Sequence, residues 1–226
     1  LSLGVREIHI GDDMFTTDME RAKKICDMIL QNNLRFKWIL GSGLRSDRVD
    51  LEFLKLAKRA GCYQVGFGFE SGDQKSLESV DKGITLEQSI KAMELVRKAG
   101  IESVGFFMFG LPMDTEESLK KTIAFAKRLN PTFAKVTVTI PFPGTKLFEE
   151  YDRQGRIKSR DWSKYNFHSI KEIYEHPNLS MGILDLYYNK FYRSFYLRPS
   201  YIFKRILKLR SFNDVTRNLK ALAEII

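Results

Sequence analysis

AGCYQVGFGFESGDQ, Ala60 to Gln74, decides the fold. Ala60-Gly61 closes a helical pattern. Val65, Phe67 and Phe69 then alternate with glycines as in a buried strand, and Glu70-Ser71-Gly72 breaks that strand before a new polar segment. The stretch LAKRAGCYQVGFGF, Leu56 to Phe69, lines up with LVRKAGIESVGFFMF, Leu95 to Phe109, at an offset of 39 residues. The same passage from apolar strand to polar or Gly/Pro loop to helix occurs at IHIGDD (Ile8 to Asp13), WILGSGLRSD (Trp38 to Asp47), FFMFGLP (Phe106 to Pro112) and VTVTIPFPGT (Val136 to Thr145). Repeated β–loop–α units predict a parallel sheet with helices outside it, and a ligand site at the carboxyl ends of the strands. Five strands cannot close an eight-stranded barrel, so the sheet is open or lacks units at its amino end.

Helix ends follow from local chemistry. Thr17 or Asp18 caps an apolar stripe of Ala22, Ile25, Met28 and Ile29. Asp50 caps Leu51 to Ala60, and Thr85 with Gln88 forms a capping box for a helix ending at Gly100. Asp114 or Thr115 opens a helix that Asn130-Pro131 closes.

The 226 residues are 43% hydrophobic and 29% charged, enough for one sizeable core and too apolar for disorder. No stretch is long and apolar enough to span a bilayer and no secretory signal is visible, which points to the cytoplasm. The chain starts at Leu1 almost directly on a strand, so upstream sequence is expected to be missing. Cys26 and Cys62 lack metal-ligand spacing and read as buried free thiols. Of the net charge of +9, +7 falls in Tyr187 to Ile226, where nine basic residues face only Asp214 and Glu224. The nearly neutral body does not support nucleic-acid binding. Residues 1–152 read as the sheet domain and 153–226 as a helical, basic extension.

The strand-end loops carry the candidate chemistry. Glu70 and Ser71 end a strand in which Gly66 and Gly68 clear one face for close approach. A carboxylate there can accept from an ammonium or from ribose hydroxyls, or can pair with a neighbouring lysine. Arg45 and Lys82 each suit a carboxylate or stand as solvated cations. Asp12 and Asp13 suit substrate positioning or helix capping. The acidic turn at Asp114, Glu116 and Glu117 would repel phosphate. In Pro141-Phe142-Pro143-Gly144-Thr145, a stiff loop leaves backbone groups for a flat ring.

In order, IHIGDDMFT, GLRSD, AGCYQVGFGFESGDQ, KGIT, AGIESVGFFMFGLPMDTEES and IPFPGTKLFE resemble the radical S-adenosylmethionine (radical SAM) superfamily over about residues 5 to 150. WSK at Trp162 and LRPSYIFKRILKLRS further resemble its branch with an amino-terminal cobalamin-binding domain. The resemblance implies an α/β fold, a partial (β/α)6 TIM-like barrel. It also implies a 4Fe-4S cluster on a Cys-x3-Cys-x2-Cys loop after the first strand. No such loop occurs here, so the expectation is a barrel lacking its first βα unit, with an α-helical C-terminal appendage. The retained loops downstream favour truncation over a degenerate protein.

By the same resemblance Glu70, with Ser71 beside it, meets the amino group or ribose of SAM, and Lys82 or Arg45 meets its carboxylate. Pro141, Phe142 and Pro143 border the adenine, Gly110 and Leu111 line the pocket, and Asp12 and Asp13 face substrate or cofactor. No catalytic residue is assigned. The implied parent cleaves SAM to a 5′-deoxyadenosyl radical and transfers a methyl group, with cobalamin, a small-molecule substrate and an electron donor such as flavodoxin or ferredoxin. Two alternatives stay open: a cobalamin-free enzyme such as a methylthiotransferase, or a non-enzymatic module whose basic, aromatic tail binds a membrane or partner. The bland reading of that tail packs its apolar stripe on the barrel.

Overall fold

The computed structural model describes residues 3–12, 14–165, 173–207 and 216. Its sheet comprises β1 (Glu7–Ile10), β2 (Lys37–Leu44), β3 (Cys62–Glu70), β4 (Glu102–Phe109) and β5 (Phe133–Val138). All neighbours are parallel, in the order β1-β2-β3-β4-β5. The crossovers are α1 (Met19–Gln31), α2 (Leu51–Arg59), the short α3 (Gln74–Glu78) with α4 (Leu86–Ala99), and α5 (Glu116–Leu129). A doubly wound sheet reverses its strand order. With no reversal, right-handed crossovers put every helix on the same face, which is the winding of a barrel wall.

The helices begin where local chemistry places them. Asp18, Asp50, Thr85 and Thr115 accept from the backbone N–H three residues on, and Thr85 with Gln88 completes its box. Gly100 and Asn130 end α4 and α5 in the left-handed conformation. The core lies between sheet and helices, where ring contacts join Phe67 to Phe69 at 5.6 Å, Phe69 to Phe107 at 5.7 Å and Phe107 to Phe191 at 5.4 Å.

Beyond β5 come α6 (Lys146–Arg153), a 3-10 turn (Trp162–Lys164), α7 (Met181–Tyr196) and α8 (Pro199–Ile206). Tyr187, Phe191 and Phe195 of α7 are buried in the main core. On the edge of β5, the Ala134 N–H donates to the Tyr196 hydroxyl at 2.9 Å, and that hydroxyl donates back to the Ala134 carbonyl at 2.8 Å. Val136 and Tyr192 repeat the exchange at 3.2 Å each way, and the Tyr201 hydroxyl donates to the Thr132 carbonyl. The match is geometric. Alternate strand residues turn their N–H and C=O to the same side, about 6.6 Å apart. Tyrosines four apart on a helix are spaced by about 6.0 Å. A phenol is both a donor and an acceptor, so one hydroxyl serves one residue of the edge.

Several described cations of the tail are also engaged. Arg198 donates to the Phe195 and Lys127 carbonyls and to the Asn130 side chain, Lys190 lies over the Tyr187 ring at 5.2 Å, and Arg205 lies over the Phe133 ring at 5.1 Å. The tail's Lys208, Arg210, Arg217 and Lys220 lie outside the described residues, as does Asp13.

Replacing Tyr192 or Tyr196 by Phe keeps the ring and strands one donor and one acceptor of β5. Each variant is expected to lose about 1–3 kcal/mol in urea unfolding, and the double variant to lose more. A loss below about 0.5 kcal/mol for both would show that the edge does not need the hydroxyls.

Candidate functional site

The loops after β2, β3, β4 and β5 build one polar end of the sheet. Glu70 is the last residue of β3, and β3 slips its register against β4 between Gly68 and Glu70. Its φ is +58°, a conformation that L residues other than Asn and Asp seldom adopt. Such strain is of order 1–3 kcal/mol and clusters at binding sites. Here it turns the carboxylate onto Lys82, whose Nζ donates to Oε1 at 2.7 Å. A Cβ on Gly68 would stand 2.5 Å from that oxygen and 3.1 Å from Nζ, so this glycine makes room for the pair. Gly66 instead admits the ring of Phe106 from β4. Gly72 lets the loop lie directly on Lys121 and Thr122 of α5.

Arg45 forks onto Asp47 with two 3.0 Å bonds and also donates to the Lys82 and Gly83 carbonyls, fixing the loop that carries Lys82. Three sequence-predicted residues, Glu70, Lys82 and Arg45, therefore meet. Ser71 does not join them. It is buried, shares a hydrogen bond with Thr122 and accepts from the Asp73 N–H. Asp12 turns toward α1, accepting from the Met14 N–H and from Arg21. Pro141 is buried, Phe142 half-buried and Pro143 exposed.

Gly110, with φ +80°, turns the chain out of β4 into buried Leu111. Asp114 holds that turn. The sequence places it in an acidic first helical turn. In the structure it is buried and accepts from the Leu111 N–H at 2.9 Å, the Ser76 hydroxyl at 2.6 Å and the Ser118 hydroxyl at 2.7 Å. Burial pushes its carboxyl above the usual range, against those three donors. From the appendage, Tyr174 donates to the Thr139 carbonyl, His176 bonds the Leu111 carbonyl and Asn178 donates to the Asp114 carbonyl. These three residues lie outside the strand-end motifs of the sequence. Two buried hydroxyls nearby, those of Thr139 and Tyr151, have no partner among the described residues. Thr139 directly precedes the Ile140-Pro141 loop.

The arrangement fits SAM in part. A paired carboxylate and ammonium, 17% and 24% exposed, stand ready to exchange partners with the ammonium or hydroxyls and the carboxylate of a ligand. An unsatisfied hydroxyl borders the Pro-rich loop. The residues do not fit a four-iron cluster. Among the described residues no three His, Cys, Asp or Glu side chains are grouped to hold a metal. Burial pushes both thiols up to about 12. A groove of about 800 Å³ between α1 and α2 lies away from the strand ends, on the outer helical layer, and its Lys23 pairs with Glu52.

A family model described as "Radical SAM superfamily" matches residues 1–126. The chain is 34% identical over 209 residues to an uncharacterized methyltransferase of Pyrococcus horikoshii, covering 92% of this chain and 45% of that protein. It is 29% identical to an anaerobic magnesium-protoporphyrin IX monomethyl ester cyclase of Cereibacter sphaeroides, over 87% of this chain and 32% of the cyclase. The fold matches the radical S-adenosylmethionine methyltransferase TsrM of Kitasatospora setae, solved with cobalamin and a 4Fe-4S cluster, at a TM-score of 0.61 and 22% identity. That match covers 68% of this chain and 31% of TsrM. The chain thus spans under half the length of these proteins, and its singly wound sheet matches the partial-barrel fold of the solved neighbour.

Two outcomes follow from this geometry. Asp114→Ala is expected to destabilise the fold by roughly 2–5 kcal/mol in denaturant unfolding, because buried donors lose their acceptor. Iron and sulfide analysis of residues 1–226 after anaerobic reconstitution is expected to give no stoichiometric four-iron cluster. A full cluster would mean that the two thiols are available after all.

Proposed function

The chain belongs to the radical SAM superfamily, and on that premise we propose that its strand ends hold SAM within a longer, cobalamin-dependent methyltransferase. The observation that carries the reading is the Glu70–Lys82 pair, held at the carboxyl end of β3 by a strained backbone and by a glycine that leaves it room. Glu70 accepts from the ribose hydroxyls or the ammonium of SAM. Lys82 turns to its carboxylate, and Arg45 keeps the Lys82 loop in place rather than meeting the ligand itself. Ser71 supports the loop from below, and Asp12 lies beyond β2, at the end of β1. Gly110 and Leu111 form the wall beside the methionine portion, and Pro141, Phe142 and Pro143 border the adenine.

Bound SAM would supply a carbon radical able to take hydrogen from an unactivated C–H bond. The residues of this chain position SAM and exclude water around it. The cluster ligands are not among them, no residue here is assigned to cobalamin, and no step is derived through either group. The methyl-transfer reading is supported by the Pyrococcus horikoshii methyltransferase and by TsrM, and a small-molecule substrate is the matching class. An electron donor of the flavodoxin or ferredoxin kind would complete the system. No described helix is long and apolar enough to cross a membrane, and the buried aromatic face of α7 leaves less of the tail for a membrane surface.

Glu70→Gln in the full-length protein removes the charge and keeps the shape. A charge-assisted hydrogen bond is worth about 1.5–3 kcal/mol, so SAM affinity by calorimetry is expected to fall about ten- to a hundredfold with the thermal midpoint little changed. Unchanged affinity would remove Glu70 from the site.

A further inference from the structure

Tyr174, His176 and Asn178 stand at every second position of a short segment whose Tyr174 pairs with Ile157 in an isolated antiparallel bridge. The Glu175 N–H donates to the Arg156 carbonyl and the Lys158 N–H to the Ile173 carbonyl, so the segment is anchored through its own backbone. Each of the three binds a different main-chain carbonyl at the polar end of the sheet: Thr139 at 2.9 Å, Leu111 at 2.9 Å and Asp114 at 3.2 Å. These carbonyls follow the last ladder residues of β5 and β4. They belong to the same two loops as Leu111 and Pro141.

We propose that this Tyr-x-His-x-Asn segment is a clamp that sets the ligand loop after β4, with His176 as its positioning residue. The inference rests on the reading of Gly110 and Leu111 as pocket wall. His176 is 3% exposed and uses both ring nitrogens. The Asn178 N–H must donate to Nδ1, at 3.2 Å, so the proton sits on Nε2 and points at the Leu111 carbonyl. The Leu111 N–H is held in turn by Asp114, so both backbone polar groups of that residue are fixed. A side chain on Gly110 would meet the Tyr174 hydroxyl at 3.1 Å, so the glycine also lets the clamp close on the turn.

The clamp carries a sign in pH. Burial holds the His176 imidazole neutral, with its pKa below the ordinary 6.5. The Asp114 carboxylate facing it favours the charged form, and Arg156 opposes it. Protonation puts a hydrogen on Nδ1, where Asn178 donates, and opens that contact. The bond set is therefore complete above the lowered pKa and is lost as pH falls through it.

The test uses the full-length protein, with SAM titrated calorimetrically and amide exchange followed over residues 111–115. His176→Gln retains an N–H donor that can reach the Leu111 carbonyl, whereas His176→Phe retains only the bulk. Asn178→Ala removes one bond at the edge of the segment. SAM affinity is expected to fall about fivefold to tenfold for His176→Phe and less for Asn178→Ala. Affinity should stay within about threefold of the parent for His176→Gln. Exchange at 111–115 should quicken in the order of those losses. Affinity of the parent should drop on the acid side, and that drop should vanish in His176→Gln. Equal affinity and exchange in parent and His176→Phe would overturn the clamp, as would a Gln variant as weak as the Phe variant. If His176→Phe fails to fold, Asn178→Ala and the acid limb decide, and no change in either overturns it. If the parent binds no SAM, the ligand reading fails instead. The exchange rates then judge the clamp alone, and unaltered protection in the variants overturns it.

Discussion

An edge strand must find partners for its outward N–H and C=O groups, and in this chain that requirement shapes everything after β5. Water would satisfy the groups but would leave the strand open to pairing with another chain. Tyr192 and Tyr196 close it instead, each giving and receiving one bond with a single strand residue. Holding them there fixes the rotation of α7, which drives Phe191 onto the rings of Phe107 and Phe109 in β4. The position of α7 in turn sets where the preceding segment crosses the ends of β4 and β5. The seal at the side of the sheet and the polar clamp at its end are thus two consequences of one packing arrangement.

The candidate site is built as much from room as from contact. Gly68 makes space for an ion pair, Gly66 for a ring, Gly72 for a helix and Gly110 for a phenol. The strain at Glu70 persists because the slip in register, the Lys82 pair and the Arg45-held loop leave its backbone no relaxed alternative. An exposed ion pair alone adds little stability. Its half-buried placement on a strained residue therefore points to binding rather than to holding the fold together.

What the sequence made legible was local. Caps at Asp18, Asp50, Thr85 and Thr115, and the strand ends at Glu70 and Gly110, depend on neighbours within a few residues. The glycines of β3 were readable as clearing a face, though the clearance serves Phe106 and the Glu70–Lys82 pair. Asp114 was misplaced because helix-start statistics describe an exposed first turn. Of its partners, Leu111 and Ser118 are local, but Ser76 appears only once α3 meets the start of α5. Tyr174, His176 and Asn178 were passed over because a segment so short has too few residues for periodicity to register. The hydrogen-bonding side chain at every second position was the available signal. Tyr192 and Tyr196 are visible only as aromatic residues of the tail, because their target requires knowing which strand lies at the edge.

The two sides of that edge seal are far apart in the chain: Tyr196 follows Ala134 by 62 residues. At about 5–20 residues per second, synthesis of the intervening segment takes roughly 3–12 seconds. Throughout that interval β5 can already lie against β4 while its outer side is bare. The newborn chain therefore passes through a stage in which its sheet is ready to recruit a neighbour on the same polysome. Crowded expression, slow codons between Ala134 and Tyr192 or loss of a tyrosine would each lengthen that stage. A phenol that contributes modestly to the finished fold thus also limits how long the unfinished one stays adhesive.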